Sequence, residues 1–142
     1  MSRGSEAVGL VVDTSAVVAV LLGDPGSDAL MAALIAANDR LMSAATQVEL
    51  GIVVEARLGP VGADIVPRFV RDAQIELVPV DGDTASRAVG AWRRYGKGRH
   101  AAALNFGDCF VYALAERTGY PVLCVGNDFA ATDIEVWTPD LK

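Results

Sequence analysis

The chain is poor in the residues that build zinc sites. It has one histidine, His100, and two cysteines, Cys109 and Cys124, so no Cys/His set for zinc can be assembled. Both cysteines lie inside apolar segments and read as reduced, inert thiols. Lysine is almost absent, at Lys97 and Lys142 only, and the formal net charge is −6 at pH 7. That balance argues against sequence-independent adhesion to nucleic acid or to an anionic membrane, while leaving room for a local basic patch. The apolar stretch at 8–22 (VGLVVDTSAVVAVLL), preceded by Arg3, is interrupted by Asp13 and followed by LLGDPG, which offers no small-x-small cleavage site. A cytoplasmic protein with no membrane partner is expected.

What is present suits one compact domain. The 142 residues are 52% hydrophobic and 21% charged, enough for a full-sized core and too few for a second domain. Residues 1–7 lack apolar content and read as a flexible N-terminal tail, leaving 8–142 as the domain. Val8–Val12 is a β-branched run closed by Asp-Thr-Ser, and the apolar helix after it stops at Gly23-Asp24-Pro25-Gly26. Further helices are expected over 27–37, 46–58 (ending at Gly59-Pro60), 64–73, from Thr84 as cap onward, and over 105–118. The helix after Thr84 has its apolar stripe at Ala85, Ala88, Val89 and Trp92. Strands are expected at 41–43, 75–80 and 122–125, with a fifth at 135–137; Pro79 places the 75–80 strand at an edge or terminus. Strands separated by helical segments of ten or more residues imply crossover connections. The fold expected is therefore a three-layer α/β/α domain around a central parallel sheet of four to five strands.

Four acidic residues, Asp13, Glu49, Asp108 and Asp128, each sit where an apolar run ends or a helix begins. In an open parallel sheet that gathers them at the carboxyl edge, where ligands bind. Two carboxylates ~4 Å apart repel by roughly 4 kcal/mol at an effective dielectric of 20, so such a cluster must bind cations or hold protons. Each acid also has a plainer role available, because carboxylates cap helix N-termini. Asp13 can cap the helix after it, and Thr46-Gln47-Val48-Glu49 matches a capping box that alone favours a cap over a catalytic role for Glu49. Asn105-Phe106-Gly107-Asp108 is a looser form of the same motif, and Asn127-Asp128-Phe129 can start a turn. The plain reading is weakest for Asp108, which heads CFVYALA, apolar on every face, and for Asp13, flanked by VGLVV and AVVAVLL. A charge at such a place needs a partner. Asp133 joins the cluster only if the loop after Asp128 folds back; a turn role is the favoured reading.

All-oxygen ligation selects Mg²⁺ or Mn²⁺. Asp13, Asp108 and Glu49 are the expected metal ligands and, with Asp128, the expected catalytic set. Thr14 and Ser15 offer hydroxyls for a water or a phosphate, or for capping. Arg93, Arg94, Lys97, Arg99 and His100 fall within eight positions ahead of Asp108 and form a candidate phosphate-contacting edge; cations at a helix C-terminus also complement its dipole. The reaction that fits these parts is phosphodiester hydrolysis by an activated water, with no covalent nucleophile.

With these acids placed, the chain resembles the PIN-domain ribonucleases, and among them the VapC toxins of toxin–antitoxin pairs. The matching pieces are VVDTSAVVAVL, SAATQVELGIVVEAR around Glu49, YGKGRHAAALNFGDCFVYALA around Asp108, and VLCVGNDF before the last strand. The resemblance implies Mg²⁺- or Mn²⁺-dependent RNA cleavage leaving 5′-phosphate and 3′-hydroxyl ends, growth arrest by blocked translation, a homodimer, and a cognate VapB-like antitoxin with a basic C-terminal tail. Many relatives carry Thr-x-Asp-x-Asp-Phe near the fourth acid; here Cys124 and Gly126 replace its Thr and first Asp, leaving Asp128. Two other classes are compatible with parts of this pattern: a catalytically silent RNA- or partner-binding domain, and a Mg²⁺-dependent phosphoacceptor signalling module. The latter normally pairs adjacent acids early and a lysine late, which this chain lacks.

Overall fold

The computed structural model describes residues 9–139. The tail expected over 1–7, Val8, Asp140 and Lys142 lie outside the described residues. Within them, four strands, β1 (Gly9–Val12), β2 (Asp39–Ser43), β3 (Glu76–Val78) and β4 (Val122–Leu123), alternate with six α-helices. The helices are α1 (Thr14–Leu22), α2 (Ser27–Ala36), α3 (Ala44–Leu58), α4 (Ile65–Asp72), α5 (Gly82–Tyr95) and α6 (Phe106–Thr118), and a 3-10 turn over Pro60–Asp64 leads into α4. All strand pairs are parallel and the order is β3-β2-β1-β4.

Strand β1 is buried on both faces, so its apolar run has no polar alternation. Leu10 and Val12 join Met42 and Leu123 in a core formed with α1 to α4, whereas Val11 joins Val122 in a second core formed with α5 and α6. The period-two switch of side chains along one strand thereby supplies both interfaces of the expected α/β/α sandwich. Among the described residues no single helix is long and apolar enough to cross a membrane, and α1 and α2 are bent by 120° across the intervening turn.

Several element boundaries differ from expectation. The fifth strand reduces to one parallel bridge between Val122 and Val136, with Trp137 N donating to Val122 O at 2.8 Å; Pro139 soon follows and has no N–H for a ladder. Strand β3 is an edge strand that ends at Val78, directly before Pro79. Helix α5 is capped by Asp81, whose Oδ1 accepts from Thr84 N at 2.9 Å, so Thr84 is the receiving position and not the cap. Of the stripe expected on this helix, Ala88 is buried while Ala85, Val89 and Trp92 are exposed.

Helix α3 begins two residues before Thr46. Ser43 caps it, accepting from Ala45 N at 3.2 Å, so Thr46 to Glu49 is not a capping box and Glu49 is left for other work. Thr46 is 1% exposed and its Oγ1 has no hydrogen-bond partner. A buried hydroxyl without a partner costs about 1–3 kcal/mol of desolvation. Thr46→Val, similar in shape, is expected to raise the unfolding free energy by about 1 kcal/mol in urea denaturation; a loss of stability would show that the hydroxyl is satisfied after all.

Candidate active site

The strand order reverses beside β1: β2 and β3 extend to one side and β4 to the other. A crevice opens at such a switch point, beyond the carboxyl ends of the two diverging strands. Asp13 follows β1 there, and its N–H donates to Leu123 O of β4 at 3.0 Å. It also caps α1: Oδ2 accepts from Ser15 N at 3.0 Å and from Ser15 Oγ at 2.5 Å. Ser15 Oγ in turn accepts from Val125 N at 2.9 Å, tying the end of β1 to the end of β4.

Asp108 enters from the first turn of α6 in a complete capping box. Its N–H donates to Asn105 Oδ1 at 2.8 Å while its Oδ2 accepts from Asn105 N at 3.1 Å. The helix it heads is buried from Cys109 through Ala115 apart from half-buried Phe110. Glu49, in the second turn of α3, accepts from Thr14 Oγ1 at 2.8 Å through Oε1. Its carboxylate lies against α6 at Gly107, where an added Cβ would meet Oε2 at 2.7 Å and Oε1 at 2.8 Å. Only a residue without Cβ permits that approach. Asp128 is exposed, in the loop after β4, held by its neighbour Phe129, which is fully buried in the second core.

For Asp13, Glu49 and Asp108 one oxygen is tethered, and among the described residues the other accepts no hydrogen bond. Burial raises the Asp13 carboxyl, opposed by the two Ser15 bonds and reinforced by the charges of Glu49 and Asp128. Burial likewise pushes Asp108 up to about 7, against the Asn105 bond and with help from the charges of Asp128, Asp13 and Glu49. The four acids are thus one electrostatic unit. Cys124, half-buried beside them, is driven by burial and by the charges of Asp13, Asp128 and Asp108 up to about 12 and stays a thiol.

An all-oxygen set with free lone pairs suits a hard divalent cation. Among the described residues no three acidic side chains close tightly enough to enclose an ion unaided.

The other expected contacts divide. Thr14 and Ser15 spend their hydroxyls on Glu49 and Asp13, so they orient the acids. Arg94 is engaged away from any ligand: it donates to Tyr112 Oη at 2.8 Å and to Glu116 at 3.0 Å, and lies 3.8 Å from Asp133. Asp133 accepts from Tyr112 Oη and meets Arg94, an arrangement that fastens the loop after β4 to α6 and leaves Asp133 out of the acid group. Arg93, Lys97, Arg99 and His100 are exposed. Arg99 Nε donates to Arg93 O at 2.9 Å, and His100 Nδ1 accepts from Ala102 N at 3.0 Å. Sequence reasoning passed over Gly107, whose signal is a glycine inside the first turn of a helix, a place where glycine is otherwise unfavourable.

A carboxyl with a raised folded pKa binds more protons folded than unfolded, so stability falls as pH rises through the interval between the two values. For Asp108 that interval runs from 3.8 to about 7. In EDTA the wild-type protein is therefore expected to lose stability over that range, and Asp108→Asn to flatten the slope and raise Tm at pH 8 by several degrees, roughly 3–5 °C per kcal/mol recovered. Identical thermal unfolding profiles for the two proteins would contradict the assignment.

Comparison with known proteins agrees with this fold. The PIN domain profile matches residues 10–135. Ribonuclease VapC30 of Mycobacterium tuberculosis is 46% identical over 125 residues, spanning 88% of this chain and 95% of that protein. Ribonuclease VapC of Mycolicibacterium smegmatis is also 46% identical, over 88% of this chain and 97% of that one. Among solved structures, Mycobacterium tuberculosis VapC20, described as a sarcin-ricin loop cleaving toxin, superposes with a TM-score of 0.72 at 19% identity, covering 92% of this chain and 99% of that chain. The chain belongs to the PIN-domain family, in its VapC group.

Proposed function

We propose that this protein is a divalent-metal-dependent endoribonuclease, the toxin of a toxin–antitoxin pair, hydrolysing RNA phosphodiester bonds. The observation that carries the reading is that Asp13 and Asp108, 7% and 8% exposed, come from distant parts of the sequence near enough for the charge of Asp13 to act on Asp108. Membership of the VapC group supports it, since relatives 46% identical bear the name ribonuclease.

Asp13, Asp108 and Glu49 would hold Mg²⁺ or Mn²⁺ through their untethered oxygens, with Asp128 adding charge from the rim. When bound, the ion supplies Lewis acidity that lowers the pKa of water and offsets charge developing on the phosphate. Ser15 and Asn105 fix the two main carboxylates in single orientations, and Thr14 fixes the third. Burial keeps bulk water from weakening these charges. Arg93, Lys97, Arg99 and His100 lie exposed in the segment leading to Asp108, where they can receive phosphates of the substrate strand.

The same acid pocket suits a basic tail, which supports a VapB-like antitoxin as partner; one solved neighbour, with a TM-score of 0.67, is described as a toxin–antitoxin complex from Klebsiella pneumoniae. A homodimer and a cytoplasmic location complete the proposal by family resemblance.

Purified protein incubated with structured RNAs and Mn²⁺ is expected to cut them, and EDTA to stop the cutting. Asp13→Asn and Asp108→Asn should each lower the rate by about 100-fold or more while far-UV circular dichroism is unchanged. Cleavage that survives both substitutions would sink the reading. Gly107→Ala, which forces the Glu49 carboxylate to move, should raise the Mn²⁺ concentration needed for half-maximal rate; an unaltered metal dependence would remove Glu49 from the ligand set.

A further inference from the structure

A cavity of about 590 Å³ opens between α5 and α6, with Val89, Trp92, Lys97, Leu104, Phe106 and Phe110 among its lining residues; Asn105, which also lines it, exchanges hydrogen bonds with Asp108. Two of its aromatic rings are poorly covered: Phe106 is 82% exposed and Trp92 46%. Phe106 is the first residue of α6, two positions before Asp108, and its ring meets Phe110 edge-on at 5.0 Å, which holds it in place. Arg99 sits over the Trp92 ring at 4.7 Å and is itself pinned to Arg93 O. The chain closes tightly on the indole at Gly96, where a Cβ would meet the Trp92 ring at 2.5 Å.

A contiguous apolar patch rimmed by polar residues marks an interaction site. The cations decide its chemistry. In a chain of net charge −6, Lys97 lines this groove and Arg99 sits over its Trp92 ring, with Arg93 exposed within the same seven positions of sequence. Apolar rings interleaved with cations are what single-stranded nucleic acid requires, since every base offers a π-face and every linkage a negative charge.

We propose that Phe106 and Trp92 form a base-stacking subsite for single-stranded RNA, with its phosphates along Lys97, Arg99 and Arg93, feeding the strand toward Asp108. This rests on the nuclease reading above and adds to it a path and a preference for unpaired substrate next to the cut. Stacking tolerates any base, so the subsite contributes affinity without base identity.

The test reads binding and not cleavage. Fluorescein-labelled oligouridylate of about eight nucleotides is titrated, in EDTA, with wild-type protein, Phe106→Leu, Phe106→Tyr and Trp92→Leu, by fluorescence anisotropy, with Tm and light scattering recorded for each. Loss of one stacked base is expected to weaken binding about tenfold in each leucine variant, while Phe106→Tyr stays within about twofold of wild type at unchanged Tm. Leucine variants that bind as tightly as wild type overturn the proposal and leave the nuclease reading standing, as does a wild-type protein that cuts structured RNA yet does not bind the oligonucleotide. Should the leucine variants instead turn a dimer into a monomer with RNA affinity unaltered, the groove is a contact between two copies of the chain and the proposal fails. A wild-type protein that neither binds nor cuts any RNA removes both readings together.

Discussion

The arrangement depends on carboxylates taken out of water at the carboxyl edge of a parallel sheet. Burial alone works against the charged form of Asp13 and Asp108, and the neighbouring acids add to the opposition. A scaffold that tolerates this must hold the groups rigidly, because an acid free to turn outward would escape into solvent and relieve the strain. Each of the three inner acids is held by one oxygen, to Ser15, Asn105 or Thr14. The tethers leave the remaining oxygens in unmet demand, which a doubly charged ion can answer more completely than protons can.

The fold supplies the convergence. Residues from α1, α3 and α6 meet because β1 is the strand where the sheet reverses its order, with both its faces sealed by apolar cores. Gly107 lets α3 and α6 approach until the Glu49 carboxylate touches the α6 backbone. Phe129 and the Tyr112–Asp133–Arg94 group secure the loop that carries Asp128 from the other side. A buried network of this sort is stable only when nearly every member is satisfied, and each of the three inner acids here has one oxygen tethered.

Much of this was legible in the chain. The apolar runs around Asp13 and after Asp108 announced buried carboxylates, and strand–helix alternation announced the layers. What stayed hidden depends on the third dimension. The Thr46-x-x-Glu49 spacing is a true capping signature, yet Ser43 starts the helix a turn earlier, because its hydroxyl lies where β2 ends and α3 begins. Arg94 reads as a free cation until α5 and α6 pack and bring Glu116 and Tyr112 to it. The stripe over Ala85, Ala88, Val89 and Trp92 has helical period, but periodicity does not say which apolar face meets a core and which lines an open groove. The close approach at Gly107 has no one-dimensional signal beyond an out-of-place glycine.

The central claim is that the Asp108 carboxylate is electrostatically frustrated without an ion and relieved with one. Carbon-detected NMR titration of the Asp108 side-chain carboxyl, in EDTA and again in Mg²⁺, tests it most directly. The account predicts a midpoint near the value of about 7 without metal and a shift to well below the ordinary carboxylate range with it. A midpoint near 3.8 in the metal-free protein, unmoved by Mg²⁺, would contradict it.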